Sequence, residues 1–294
     1  MTRMLPETIK TSSTTSSDII RNAVKVMMPL FIFLLLVIAL YPIVWLLLAS
    51  VKSPHEFSLR PIYALPEGFY FQNYVDAWSS GKFNLYFANS VLVTIPSLLL
   101  VVGLSVSTAF GIEIMRWRIK NGILLLFLAG ILIPGQMVLL PLYTMFYRLN
   151  LLDNRWGLIA AYTAFGFPLS VFFFVGYFKS LSHEILEAAI VDGANIYQVF
   201  FYVALPMIRN SIFTIGLIQF FFIWNDLLLS LTFISNTKLR TVQAGLLDFV
   251  GRFGERDWGP TFASISMSIL PTLLIYLILN RFVIRGLTAG AVKG

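Results

Sequence analysis

Six predominantly apolar stretches, at about 28–50, 87–112, 122–146, 157–178, 211–234 and 262–283, constrain this chain more than anything else in it. Crossing the hydrocarbon of a bilayer takes about 20 apolar residues in a helix, and all six are long enough. With 58% hydrophobic and only 12% charged residues, the chain has too little polar surface for a soluble globular fold. The reading is an all-α integral membrane protein with six transmembrane helices.

The tail before the first stretch, "TSSTTSSDIIRNAVK", is longer than a secretory n-region, and the apolar run after it exceeds a signal-peptide core. It reads as an uncleaved anchor. Lys and Arg set the orientation: a cytoplasmic N-terminus puts 12 of the 21 basic residues inside, among them the group "RWRIK" at 116–120 and the pair Arg21 and Lys25 beside the first span. Both termini are then cytoplasmic. The layout is a tail 1–27, a first helix 28–50, an external loop 51–86, a five-helix core 87–283 and a C-terminal tail 284–294. Within the core, 113–121 and 179–210 face the cytoplasm, whereas 147–156 and 235–261 face outward.

The net charge of +7 belongs to this topology and to contact with anionic membrane lipid, since no basic patch is interleaved with stacking aromatics as nucleic acid requires. No cysteine is present, which excludes disulfides, thiolate metal sites and cysteine nucleophiles. The two histidines, His55 and His183, fall on opposite sides of the membrane, and neither has a second ligand at helical spacing. Metal binding and Ser-His-Asp hydrolysis therefore gain no support.

Polar and helix-breaking residues inside the spans are the next signal. Pro134, Pro141, Pro168 and Pro271 each remove a backbone hydrogen bond and allow a bend. In "IPGQMVLLPLY" at 133–143, Gly135 and Gln136 beside two prolines make a polar break. Asp226 is the one acidic residue deep in a span, next to Trp224 and Asn225. An intramembrane carboxylate is costly, so it either lines a path for a polar substrate or bonds across helices to hold a bend. Gln136 carries the same pair of readings. Tyr143, Tyr162, Phe165 and Trp224 could serve as aromatic platforms along a path or as packing.

The loop 179–210 contains "EAAIVDGANIYQVFFYVALP" at 187–206. Ser182 is placed to cap a short helix with Glu184 in its first turn, where a negative charge suits the helix dipole. Ile185, Ala188, Ala189 and Asp192 recur on one side of it. Asp192-Gly193 supplies a turn, and Asn195 with Gln198 three residues on forms a capping arrangement for a second helix running to Pro206. Such a pair can rest on the lipid interface or seat against a protein. An interfacial helix carries Lys or Arg on its polar face, and between Lys179 and Arg209 there is none. Glu187 and Asp192 suit a basic protein partner.

This loop resembles the cytoplasmic signature of permease subunits of ATP-binding-cassette (ABC) importers: Glu-Ala-Ala, three residues, Gly, nine residues, Ile, one residue, Leu-Pro. Glu187, Ala188, Ala189, Gly193, Leu205 and Pro206 match in register, with Val203 in place of the usual Ile. "NYVDAW" at 73–78, "NSVLVT" at 89–94, "WNDLLLSLTF" at 224–233 and the C-terminal "RGLTAGAVKG" are similar to carbohydrate importers, in particular to the second maltose-permease subunit. The resemblance runs from about residue 40 to the end.

It implies a type I ABC importer permease fold in the cytoplasmic membrane of a bacterium or archaeon. It also implies a homologous second permease subunit, two P-loop ATPase subunits that bind ATP and magnesium, and an extracytoplasmic sugar-binding protein. Glu187, Ala188, Ala189, Asp192 and Gly193 would dock on the ATPase subunit; Gln136, Trp224, Asn225 and Asp226 would line the translocation path. The chain itself has no G-x-x-x-x-G-K-[ST] motif, its nearest fragment "SSGKF" at 79–83 placing Phe83 where a hydroxyl must hold magnesium. It reads as a non-catalytic subunit. The alternative is a proton-coupled secondary sugar carrier using Asp226, for which inverted repeats are expected and none is visible.

Overall fold

Proline and capping side chains cut the six apolar runs into more than six helices. The computed structural model describes residues 16–252 and 258–291, and every regular element among them is helical. In chain order these are α1 (Ser16–Ser50), α2 (Pro54–Leu59), α3 (Gln72–Trp78), α4 (Phe83–Glu113), α5 (Lys120–Leu132), α6 (Gly135–Arg148), α7 (Arg155–Lys179), α8 (His183–Val191), α9 (Ile196–Gln198), α10 (Leu205–Met207), α11 (Arg209–Trp224), α12 (Leu228–Phe233), α13 (Val242–Arg252) and α14 (Trp258–Ala291). Residues 1–15 of the N-terminal tail, 253–257 of the long outer loop and 292–294 at the C-terminus lie outside the described residues.

Among the described residues four helices are long and apolar enough to cross a membrane: α4, α7, the Val24–Ser50 part of α1 and the Trp258–Leu279 part of α14. Two bent pairs complete a set of six. Residues 122–146 do not make one straight span; α5 and α6 meet at 100°. Pro134 sterically disfavours helical backbone at the residue before it, and Ile133 is extended, with φ −80° and ψ 117°. The helical segment Ile196–Met207 meets α11 at 74°. Nor is 211–234 one helix, for α11 stops at Trp224 and α12 resumes at Leu228.

The most extensive contact is between α4 and α7. Its basis is a stripe on α4 in which Ser90, Thr94, Ser97, Val101, Ser105 and Ala109 are all buried and recur every three or four residues. Small side chains let two membrane helices approach closely and gain dispersion contact, the hydrophobic effect being weak within lipid. The Ser97 hydroxyl is satisfied by the Val93 carbonyl at 2.8 Å. α14 packs against both α11 and α1.

Three buried clusters lie along α4. Phe110, Phe174, Phe178, Leu186 and Val199 form one at its C-terminal end, under α8 and the segment that follows. Val93, Phe146, Leu158, Tyr162 and Phe233 form a second, where α6, α7 and α12 converge. Tyr86, Val242, Phe249 and Ala263 form a third at the N-terminal end of α4. The connections alternate between the two ends accordingly. Residues 114–119 and 180–208 share one end, where Phe110 and Phe200 meet edge to face at 4.9 Å. At the other end, Asn89 donates to the carbonyls of Lys238 and Arg240 at 2.9 and 3.0 Å while accepting from Arg155 at 2.8 and 3.1 Å.

Candidate functional site

The break between α5 and α6 opens a cavity of about 420 Å³ between α6, α7, α11 and α12. Its polar lining comes from Gln136, Tyr162, Gln219 and Asp226, and its aromatic lining from Phe165 and Phe222. Gly135 lies against Phe165 so closely that an added Cβ would sit 3.1 Å from the ring.

Asp226 both lines this cavity and builds one of its walls. A single oxygen, Oδ2, accepts from the Tyr162 hydroxyl at 2.8 Å and from the backbone N–H groups of Leu229 and Ser230 at 3.0 and 3.1 Å. The last two bonds satisfy donors that the start of α12 would otherwise leave unpaired. The break after Trp224 is therefore stabilised by the same carboxylate that faces the cavity.

Gln219, not singled out from sequence, is 2% exposed. Its amide donates to the Ser170 hydroxyl at 2.9 Å and the Gly166 carbonyl at 3.3 Å. Gly166 is what lets it sit there, since a Cβ at that position would come within 2.6 Å of Gln219 Oε1. The signal was present as a lone amide in "TIGLIQFFFIW".

Trp224 and Asn225 are not part of the cavity lining. The Trp224 ring is buried, stacked on Phe220 and edge-on to Phe87, and its indole N–H donates to the Ser268 carbonyl at 3.1 Å. It ties α11 to α14. Asn225 is exposed, donates to the Phe221 carbonyl at 3.0 Å and accepts from Gln243 at 3.4 Å. Among the described residues no group of three or more His, Cys, Asp or Glu side chains is placed to hold a metal.

The second candidate surface is the loop between α7 and α11. Ser182 occupies the cap position of α8, but its side chain makes no capping bond. The turn after α8 is closed by Asp192 N–H to the Ala188 carbonyl at 2.9 Å and Ala194 N–H to the Ala189 carbonyl at 3.0 Å. Gly193 makes it possible with φ +88°, in the left-handed region that costs a residue with a Cβ. Asn195 and Gln198 then cap the next helix reciprocally, at 3.0 and 2.8 Å. Beyond α9 the helix widens into a π-helix, Val199–Ala204, before α10.

Burial divides this loop into two sides. Leu186, Val199 and Ala204 enter the cluster at the end of α4, and Ala189 packs against it. Ile185, Glu187, Ala188, Val191 and Asp192 are exposed. Glu187 lies 4.0 Å from Arg116 of the 114–119 connection; with both side chains mostly in solvent, this pair is weak and leaves the carboxylate open to another cation.

Comparisons with known proteins identify the family to which this cavity and the exposed loop 179–210 belong. Residues 103–287 match the family described as binding-protein-dependent transport system inner membrane component, and the chain belongs to it. The chain is 33% identical to the probable ABC transporter permease protein YurM of Bacillus subtilis over 90% of its length and 87% of that protein's. It is 31% identical to the diacetylchitobiose uptake system permease protein NgcG of Streptomyces coelicolor, covering 87% and 85% of the two chains. The corresponding match to the sulfoquinovosyl glycerol transport system permease protein SmoH of Agrobacterium fabrum is 32% identity over 89% and 91%. In fold, it is similar to a chain in the crystal structure of a bacterial ABC transporter involved in import of the acidic polysaccharide alginate, with a TM-score of 0.75, 24% identity and coverage of 92% and 99%.

Proposed function

We propose that this chain is the permease subunit of a binding-protein-dependent importer in a bacterial or archaeal cytoplasmic membrane, and that it carries an uncharged saccharide or small glycoside. Two relatives named for diacetylchitobiose and for sulfoquinovosyl glycerol uptake support a sugar-like cargo; the second of these compounds bears an anionic sulfonate, so only the first supports an uncharged one. The observation that carries the uncharged class is the cavity itself: among its described lining residues, amides, a phenol and two Phe rings accompany one carboxylate, and no Lys, Arg or His is present. Hydroxyl-rich neutral rings suit acceptors and aromatic faces; an anionic sugar desolvated beside Asp226 would need a cation that this cavity does not supply.

Energy reaches the cavity from a separate ATPase seated on the loop 179–210. Support for that role comes from the exposed Glu187, Ala188 and Asp192 on a turn that Gly193 closes, and from the buried side of the same loop, which packs into the end of α4 and α7. A rigid body pushed at α8 moves α4 and α7 with it. Two such ATPase subunits holding ATP and magnesium, a homologous second permease and an extracytoplasmic binding protein complete the assembly.

The test uses the absence of cysteine. A single Cys placed at Ala188 is cross-linked in native membranes and the captured protein identified by mass spectrometry. A P-loop ATPase is the expected product. Uptake that continues with no ATPase captured, and that collapses with the proton gradient, would replace this reading with a secondary carrier.

A further inference from the structure

The connection between α1 and α3 is a folded strap whose ends are both tied to the last turn of the first span. Tyr70 N–H donates to the Val51 carbonyl at 2.8 Å, and the buried Asn73 amide donates to the carbonyls of Ser50 and Lys52 at 2.9 and 2.8 Å. Ser50 ends the most apolar of the candidate spans, a helix whose most apolar stretch has none of its residues buried. The strap therefore starts and finishes where hydrocarbon gives way to headgroups.

Its two buried charges, Lys52 and Glu56, are satisfied within the strap. Glu56, 5% exposed, accepts from Ser53 N–H and from Glu67 N–H, each at 2.7 Å, so it pins the middle of the strap to its beginning. Lys52, 3% exposed, donates to the Ile62 carbonyl at 2.9 Å. Arg60 is paired with Glu67. Apart from the mutually paired Arg60 and Glu67, what the strap turns outward is largely apolar: Leu59, Ile62, Tyr63, Leu65, Phe69 and Phe71 are each more than half exposed, and Phe69 stacks with Phe71 at 6.1 Å. A patch of this size held rigid by buried ionic groups is not an accident of a loose loop.

We infer that this strap is a membrane anchor that lies in the headgroup and glycerol layer of the leaflet at the C-terminal end of α1. Continuity with the span fixes its depth, and for a largely non-helical strap, which has no polar helix face to present cations, aromatic rings beside the end of a span are what sit at the headgroup level. Between Leu59 and Phe71 the formal charges are Arg60 and Glu67, which cancel, so the anchor works equally on neutral and anionic lipid. Its use is mechanical. Among the described residues α1 packs on α14 and has no other extensive partner, and an anchored end holds its depth and tilt while the helices around the cavity move.

The test is independent of the transported substrate. In the full chain, purified with its co-purifying subunits and placed in lipid nanodiscs, single cysteines at Ile62, Leu65 and Phe69 carry a nitroxide, with Ser58 as control. Accessibility to molecular oxygen is compared with accessibility to a water-soluble nickel chelate. Oxygen should exceed nickel at the three apolar positions and not at Ser58, in discs of purely zwitterionic lipid and in discs with added anionic lipid alike. High nickel accessibility would put the strap in water; exclusion of both reagents would put a protein on it. Either result overturns the anchor.

Discussion

One carboxylate oxygen of Asp226 holds three hydrogen bonds, and this separates a structural carboxylate from a proton carrier. Asp226→Asn keeps an acceptor on the start of α12 and should leave uptake and thermal stability close to normal. Asp226→Ala removes the cap and should cost about 1–2 kcal/mol, read as a lower unfolding midpoint in detergent. A proton carrier would instead lose transport in the Asn variant. Space is the second residue-scale constraint. A Cβ at Gly157 would lie 2.0 Å from the Leu151 carbonyl oxygen, which is backbone and cannot rotate away. Gly157→Ala should therefore destabilise by about 1–3 kcal/mol, whereas Gly176→Ala, with nothing within 4 Å, should not destabilise. At Glu56 burial pushes the carboxyl up, but the backbone donors of Glu67 and Ser53, the Ser53 hydroxyl and nearby Lys52 outweigh it and hold the group below its usual range. The sign follows: Glu56 contributes stability above the ordinary carboxylate range and loses it as pH falls through its own lowered value. The protection factor of the Glu67 amide, its exchange rate set against the intrinsic rate at the same pH, should fall on acidification, and in Glu56→Gln it should be low already near neutrality.

At the scale of elements, the bend between α5 and α6 and the π-helix Val199–Ala204 are the features most open to test. Pro134→Ala lifts the restriction on Ile133, so the helix should extend across the break and the distance between spin labels on α5 and α6 should grow, with loss of uptake. Deleting one residue within 199–204 should convert the π-helix to α-helix and turn the α8–α9 pair by about 100° relative to α11, uncoupling ATP hydrolysis from uptake without loss of helix content. Sequence showed these elements unequally. Apolar length is a local property, so the crossings were legible, and Pro134 with Gly135 and Gln136 announced a break if not its angle. The Asn195–Gln198 cap was legible for the same reason, its two partners being three residues apart. Nothing in "VFFYVA" distinguishes π from α, because the extra residue is accommodated by packing of Val199 and Ala204 against helices far away in sequence. The stop at Trp224 was hidden likewise: it depends on Asp226 finding Tyr162, 64 residues earlier.

For the molecule as a whole, the lining of the cavity was half legible. Gln136 and Asp226 both line the cavity, whereas Trp224, which could have served as a platform, spends its ring on Phe220 and its N–H on Ser268. An aromatic residue in a span carries no sequence mark that tells a wall from a brace, and Gln219 escaped notice because a single amide in an apolar run has no spacing pattern. The three clusters along α4 carry a different kind of consequence. The one beneath α8 shares no buried residue with the two at the opposite end of the helix. Variation that alters one face of the subunit need not be compensated at the other. A lineage of such chains is thus free to change its cargo while retaining its motor, or to adopt a new motor for an old cargo, with the small-residue seam of α4 and α7 as the part that must be inherited unchanged.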